Sequence, residues 1–195
     1  MYRSISLVSG PTQEPVSLDE SKLHLRIDDE DQDQLVSQMI QAARDTVEEV
    51  THRALVGRTV DVGFDSFNHT IELPLAPLRT VQSVKYLDTN GDQQTLDSDY
   101  YQVDSSRCPG IISLSPQYSW PATYGTPGQI VIQIDCGYAS RELIPSSLRH
   151  CVLLKLEELF DGDSRVFSSG TNSKSRNAVQ VAFDSLIQPW VVRYL

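Results

Sequence analysis

The hydrophobic period of this sequence changes twice, and these changes constrain its fold more than any other feature. Residues 14–55 carry apolar side chains three or four positions apart, which is the spacing of a helix lying on a core. From Arg58 to about Cys136 the period falls to two, as in strands, and the helical period returns near Pro145. The sequence therefore predicts an α+β fold, a helical bundle built from both chain ends with an inserted antiparallel β module.

We expect this pattern to divide the chain into two domains, one of them discontinuous. Residues 1–56 and 138–195 are predicted to form the helical domain, and residues 57–137 the β module. A chain of 195 residues is long enough to bury a sizeable core in this way.

The first helical segment is predicted to contain two helices joined by an acidic bend. Ser17 and Glu20 have the spacing of a capping box, and Asp31 and Gln34 repeat it more weakly. The predicted apolar stripe of the second helix consists of Leu35, Met39, Ile40, Ala43, Val47 and Val50. The predicted polar face opposite consists of Gln38, Gln41, Asp45, Glu48 and Glu49.

The middle of the chain contains short alternating runs separated by turn residues. Asn90-Gly91 predicts a tight hairpin, because both residues tolerate the positive φ angles that such turns require. The clearest strand spans residues 129–136, where Ile130, Ile132 and Ile134 share one face.

The C-terminal part begins with a helix that starts near Pro145. Residues 161–177 are rich in Gly, Ser and Asn and predict a mobile loop, followed by a short helix over 179–187 that Pro189 should end or kink. The candidate contacts of that loop with a phosphate backbone or an acidic partner are Arg165, Lys174 and Arg176, although a solvated loop is the favoured interpretation.

The last residues are unusually apolar for a chain end. They either fold back onto the core or dock into a partner, and the sequence weighs these alternatives equally. The candidate docking residues are Trp190, Val191, Val192, Tyr194 and Leu195.

Composition excludes several classes of protein. The net charge of −10 opposes tight binding to nucleic acid phosphates. Three cysteines without CxxC spacing imply no disulfide framework, and a reducing compartment is expected. The first residues are too short and polar for a signal peptide, and no apolar run approaches the length of a membrane span, so a soluble protein is predicted.

Motifs that carry chemistry are absent from the sequence. There is no phosphate-binding loop, dinucleotide fingerprint or nucleophile elbow, and the four histidines share no metal-ligand spacing. The acidic run at residues 28–33 lacks the glycine and the final glutamate of a calcium loop. No catalytic, cofactor or metal residue is therefore predicted, and the chain is expected not to be an enzyme.

The sequence is compatible with two other functions. One is a small hydrolase that uses an unrecognised carboxylate pair, because 26 acidic residues always offer pairs. The other is a carbohydrate-binding β module, suggested by Tyr100, Tyr101, Tyr118, Trp120 and Tyr124, although β core and turn positions account for these aromatics better.

Four stretches in order resemble the head–tail connector (adaptor) proteins of tailed bacteriophages and related prophage elements. They are EPVSLDESKLHLRID, then IELPLAPLRTVQSVKYLDTNGDQQTL with the later YYQVD, then SWPAT leading to CGY, and finally IPSSLRHCVLLKLEELF. The resemblance covers residues 14–160, and no single motif within it is diagnostic.

The resemblance implies a structural virion protein without catalytic residues or cofactors. Such proteins form a ring, commonly dodecameric, between the portal and the stopper or tail-completion protein, and double-stranded DNA passes through it without sequence-specific binding. The protein would be made in the host bacterial cytoplasm and reside at the head–tail junction, away from membranes. Asp45, Glu48 and Glu49 are then candidate acids of the channel lumen or of a subunit interface.

Overall fold

Helices and antiparallel strands make up the described part of the chain, which confirms the predicted α+β class. The structure is a computed structural model that describes residues 4–166 and 173–193, with the side chains of 162–166 and 173–178 left outside the description. The helices are α1 (Leu18–Leu25), α2 (Asp33–Thr51), α3 (Ser146–Val166) and α4 (Ser173–Ile187). The strands are β1 (Ser4–Ser9), β2 (Arg58–Phe64), β3 (Thr70–Leu73), β4 (Leu78–Leu87), β5 (Gln93–Thr95), β6 (Tyr101–Asp104), β7 (Gly110–Leu114) and β8 (Ile130–Cys136).

The chain divides into two compact units, each built from separate segments. The β unit comprises Met1–Pro11, Gly57–Tyr138 and Val192–Leu195, and the helical unit comprises Thr12–Val56 and Ala139–Val191. The sequence had grouped both chain ends with the helices. The N-terminal residues instead belong to the β unit because β1 pairs with β2 in the antiparallel sense, a strand that was not predicted.

The two helix starts in the first segment differ from each other. Ser17 caps α1 as predicted, since its Oγ accepts a hydrogen bond from the Glu20 N–H at 3.0 Å. The predicted cap of α2 is wrong, because Gln32 occupies the cap position and makes no side-chain capping bond. Asp33 in the first turn of α2 pairs with Lys22 of α1 at 2.6 Å and so ties the two helices together.

The buried face of α2 is rotated from the one predicted. Val36, Ile40, Ala43, Val47, Glu48 and Thr51 are its buried residues. Leu35 and Val50 of the predicted stripe are exposed. Helix α2 contacts α1 and α3 and also touches α4, and these several neighbours select the buried face. On α3, the fully buried residues include Leu148, Cys151, Val152 and Leu156.

Strand β8 lies at the centre of the main sheet of the β unit. This antiparallel sheet has the order β1-β2-β8-β4-β5, and a separate three-stranded sheet has the order β3-β7-β6. Ile130, Ile132 and Ile134 of β8 are fully buried on one face, as their alternation predicted. Ile132 lies between Val62 of β2 and Val84 of β4, so one row of apolar side chains crosses the three central strands.

The predicted hairpin at Asn90-Gly91 joins β4 to β5. Gly91 has φ 88°, and the Asp88 Oδ1 accepts from the N–H groups of Asn90 at 2.9 Å and Asp92 at 3.1 Å. The pKa of Asp88 is lowered, chiefly by the hydrogen bond that Gln94 donates and then by these backbone bonds. Local turn chemistry therefore fixes this connection.

Helix occupies most of the segment that was predicted to be a mobile loop. Helix α3 continues to Val166 and α4 begins at Ser173, six residues before the predicted start, while 167–172 lie outside the described residues. The prediction of a loop is therefore wrong for residues 161–166 and 173–177, which are helical. Ser and Asn reduce helix propensity by only a few tenths of a kcal/mol per residue, so a packed helix extends through them. Helix α4 ends at Ile187, just before Pro189, as predicted.

Candidate functional site

The candidate functional site of the described chain is a set of surfaces. Among residues 4–166 and 173–193, no group of three or more His, Cys, Asp or Glu side chains is placed to hold a metal ion. The helices of this described part are also too short or too polar to cross a membrane.

Arg44 organises the acidic side of α2. Its Nη1 donates to the Glu14 Oε1 at 2.6 Å, and its Nη2 donates to the Asp45 Oδ1 at 2.9 Å. Burial raises the pKa of Glu14, and Arg44 only partly opposes this effect. The cluster joins the segment before α1 to the middle of α2, so it is a structural contact within the helical unit.

Glu48 does not lie on the acidic surface where the sequence placed it. Only 8% of the residue is exposed. Its Oε1 accepts a hydrogen bond from the Leu55 N–H at 2.7 Å, and its Oε2 lies 3.9 Å from the Arg44 Nε. The helix period puts Glu48 beside Thr51 on the buried face, where its carboxylate satisfies the backbone after α2. The prediction that Glu48 is a surface acid of the lumen or of an interface is therefore corrected: Glu48 is a buried structural group.

Asp45 and Glu49 remain on the surface of α2. Glu49 is exposed, and the Asp45 side chain is 66% exposed although Arg44 holds one of its oxygens. Of the three acids that the sequence proposed for the lumen or an interface, these two can meet a neighbouring molecule.

Two polar contacts join α1 to α3. Arg149 Nη2 donates to both carboxylate oxygens of Glu20, at 2.6 and 2.7 Å. His24 Nε2 lies 3.3 Å from the Glu157 carboxylate, and its ring packs edge-on against His150 with the centroids 6.5 Å apart. These histidines therefore pack between the two helices, and the Glu20 carboxylate binds α3 instead of closing the capping box.

The described part of the apolar tail folds onto its own chain. The Trp190 carbonyl oxygen accepts from the Arg53 Nε at 2.7 Å, and the Arg53 guanidinium lies 5.5 Å from the Trp190 ring centroid. Val191 is half-buried and Val192 is buried. Tyr194 and Leu195 lie outside the described residues. Of the five candidate docking residues, Val192 is therefore closed to a partner in this conformation.

The three cations proposed as loop contacts cannot be placed. The side chains of Arg165, Lys174 and Arg176 lie outside the described residues, although the backbone at all three positions is helical.

A polar cluster around Asp135 lies on the face of the main sheet opposite Ile130, Ile132 and Ile134. Asp135 on β8 accepts hydrogen bonds from Thr59 at 2.7 Å, Thr80 at 3.0 Å and Gln82 at 2.6 Å. Partial burial opposes ionisation, but the three hydrogen bonds together outweigh it and lower the pKa of Asp135. The stabilisation from this group is therefore present above its unfolded pKa and is lost as the pH falls through the folded value.

Four aromatic residues of the β unit form two stacked pairs, while Tyr124 is 55% exposed. Trp120 stacks on Phe67 with centroids 4.6 Å apart and donates from its Nε1 to the Asn68 carbonyl at 2.9 Å. Tyr100 stacks on Tyr118 with centroids 4.4 Å apart. These contacts cover ring faces that a sugar would need, so they favour the turn and core interpretation over a carbohydrate site.

The surface that sequence reasoning missed is strand β1 at the edge of the main sheet. All six of its residues are exposed, including Ile5, Leu7 and Val8. The signal that could have found it is the short alternation SISLVS, with Gly10 and Pro11 marking its end.

Residues 15–107 match the family model described as "Phage gp6-like head-tail connector protein". The matched segment contains α1, α2 and the strands from β2 to β6. The match confirms the predicted resemblance to head–tail connectors. Among curated proteins, no significant match to the sequence was found.

Solved structures with the same fold match almost the whole chain. A chain in the neck of an empty GTA particle, computed with C6 symmetry, is 20% identical with a TM-score of 0.78. A chain in the virion of a native gene transfer agent is 19% identical with a TM-score of 0.78, and one in a native neck computed with C12 symmetry is 21% identical with a TM-score of 0.74. Each match covers 99% of this chain and 98% of the other. At these identities the likeness establishes the fold.

Proposed function

We propose, from the match of residues 15–107 to the gp6-like head-tail connector family, that this chain is a structural connector of a phage-like particle. That match is the observation that carries the proposal. The shared fold over 99% of the chain with proteins of GTA necks and virions supports it, because the likeness extends beyond the matched segment. The proposed location is the head–tail junction of the virion, after synthesis in the host bacterial cytoplasm.

The proposed assembly is a homo-oligomeric ring of about twelve copies. Support comes from the C6 and C12 symmetry with which the two similar necks were computed. Copies related by rotation make head-to-tail interfaces, so each copy must present two different surfaces to its neighbours. The portal protein on one side and a stopper or tail-completion protein on the other are the proposed further partners.

The proposed ring encloses double-stranded DNA without binding its sequence. Each copy carries a net charge of −10, so a ring of about twelve copies would carry roughly −120 before counterions are counted. Asp45 and Glu49 are proposed to contribute to an acidic lumen or a subunit interface, and both are exposed on α2. A ring map with a basic lumen and these two acids on the outer rim would contradict this assignment.

A role without catalysis is part of the proposal. The hydrolase alternative required a carboxylate pair. Glu14, which is half-buried, and Glu48, which is buried, are both held by Arg44, and Glu48 also accepts a hydrogen bond from a backbone N–H. Arg165, Lys174 and Arg176 remain proposed contacts with an acidic partner or a phosphate backbone.

Imaging of the full chain with and without its portal protein tests the connector function. We expect class averages of the mixture to show a ring of this chain stacked on the portal. A monomeric chain that leaves the portal unchanged at micromolar concentrations of both would contradict the function, because a neck component must bind its portal.

The tail prediction concerns its last two residues. We expect Tyr194→Ser with Leu195→Ser to weaken portal binding at least about tenfold, ~1.4 kcal/mol, because large apolar anchors dominate interfaces. Binding is measured by titration against the portal. These substitutions leave Trp190 and its bond to Arg53 in place, which deletion of residues 188–195 would not.

The control for the tail prediction is Val181→Ser, which removes another exposed apolar side chain, on α4. It should bind the portal as the parent does, and both variants should keep the parent's melting temperature. Unchanged portal binding by the double variant would assign the tail a role within the fold only.

A further inference from the structure

Strand β1 leaves one edge of the main sheet open. It pairs with β2 from Ser4 opposite Gly63 to Leu7 opposite Val60, and β1 is the first strand in the sheet order. Alternate N–H and C=O groups of an antiparallel edge strand point away from its partner. A further strand can therefore add to β1 by backbone hydrogen bonds.

The side chains of β1 do not protect this edge. Strand β1 contains no charge and no proline, and Ile5, Leu7 and Val8 are 38%, 62% and 52% exposed. Natural edge strands usually carry a charge, a proline or a bulge that prevents pairing with other chains. Its one irregularity lies between Leu7 and Ser9, so the stretch from Ser4 to Leu7 is regular and open.

The opposite edge of the same sheet is also open and uncharged. Strand β5 is last in the order, pairs only with β4 in that sheet, and exposes Gln93, Gln94 and Thr95. The two edges belong to one unit of the chain. A second copy can therefore continue the sheet by placing its β1 beside β5 of the first copy.

We propose that neighbouring copies of this chain join head to tail through β1 of one copy and β5 of the next. The proposal rests on the connector function, which requires a ring, and it names the strands that link its subunits. A β1–β1 contact would instead be two-fold and would close as a dimer, whereas the β5–β1 contact uses different surfaces and can propagate around a ring.

The number of strands fixes the direction of the junction. All neighbouring strands in this five-stranded sheet are antiparallel, so β1 and β5 have the same sense in the alternation, turned from each other by the twist that accumulates over four steps. Successive copies in a ring of twelve differ by a rotation of about 30°, which nearly preserves strand direction. The β5–β1 junction is therefore parallel in sense, and it requires a flat sheet, with a twist of about 10° per step. It is also only about three residues long, so each junction is weak and depends on the other contacts of the ring.

Cross-linking of single-cysteine variants tests the junction. Cys108 is the one exposed cysteine of the described chain, so Cys108→Ser serves as the parent, while Cys136 and Cys151 are buried. Ser6→Cys and Gln93→Cys are made separately in this parent, mixed in equal amounts with the portal protein, and treated with a short bis-maleimide. We expect the Ser6–Gln93 heterodimer to exceed either homodimer at least tenfold. A chain carrying both cysteines should give a ladder beyond the dimer.

A charge on the edge strand provides the matched comparison. Leu7→Lys in the Ser6→Cys chain should lower the heterodimer yield at least tenfold. Leu23→Lys, at an apolar residue of α1 that is 82% exposed, should leave the yield unchanged. Equal losses from the two lysines would overturn the proposal, as would a dominant Ser6–Ser6 product, which indicates the two-fold contact.

The failures of the two proposals are distinguishable in the same portal-bound sample. Rings in class averages without the Ser6–Gln93 product overturn the strand junction and leave the connector function standing. Absence of both the ring and the product overturns both proposals.

Discussion

Replacing Ile132 by alanine should lower the free energy of unfolding by about 3–5 kcal/mol, the range of a large-to-small change at a site that cannot collapse. Ile132 is 0% exposed on the central strand β8. Its neighbours across the sheet, Val62 and Val84, are also buried and belong to strands held on both sides of β8. The surrounding backbone is fixed by this pairing, so the removed methyl and methylene groups leave a cavity.

Urea unfolding followed by circular dichroism measures the Ile132 effect. The matched control is Val131→Ala on the same strand, where the side chain points to the opposite face and is only half-buried. The control should cost about 1 kcal/mol or less, because a smaller area leaves contact and solvent can fill the space. Equal losses for the two variants would contradict the placement of the core on the Ile132 face of β8.

Replacing Glu48 by alanine should lower the free energy of unfolding by about 2–3 kcal/mol, the cost of leaving a buried donor without its charged acceptor. The Leu55 N–H that Glu48 binds at 2.7 Å lies among Ala54, Leu55 and Val56, all 0% exposed, so water cannot replace the carboxylate. Arg44 also loses a nearby carboxylate, although Glu14 and Asp45 still hold its guanidinium.

Glu48→Gln is the control that separates geometry from charge. Its amide oxygen can still accept from the Leu55 N–H, so we expect a loss of about 1 kcal/mol or less. Glu49→Ala, one position along the helix on the exposed side, should change stability by no more than about 0.5 kcal/mol. If Glu48→Ala unfolds at the same urea concentration as Glu49→Ala, the carboxylate does not support the connection after α2.

Local patterns in the sequence were sufficient for the elements whose surroundings are regular. The alternation at Ile130, Ile132 and Ile134 identified the central strand, because in a sheet with one buried face a period of two specifies the buried side. Asn90-Gly91 identified the hairpin and Ser17 the start of α1, because both depend on backbone geometry within a few residues.

The candidate site was harder to predict because it depends on contacts between distant segments. Helical period alone placed Leu35 in the core and Glu48 on the surface, and each proved to lie on the other side. Several helices pack around α2, and the face they bury is turned slightly from the predicted one. Val36 therefore lies in the core in place of Leu35, and Glu48 is buried.

Periodicity and turn chemistry are local properties, so the α+β class, the succession of helical and β segments from α1 to the start of α3, and the resemblance to head–tail connectors could be predicted from the sequence alone. Three features became visible in the three-dimensional contacts alone: residues 4–9 form an open edge strand, Trp190 packs with Arg53, and Glu48 supports the backbone at Leu55. Each of these contacts joins two segments that are distant in the sequence. Its energy depends on what the second segment contributes to burial and pairing, and the local pattern of the first segment contains no information about that.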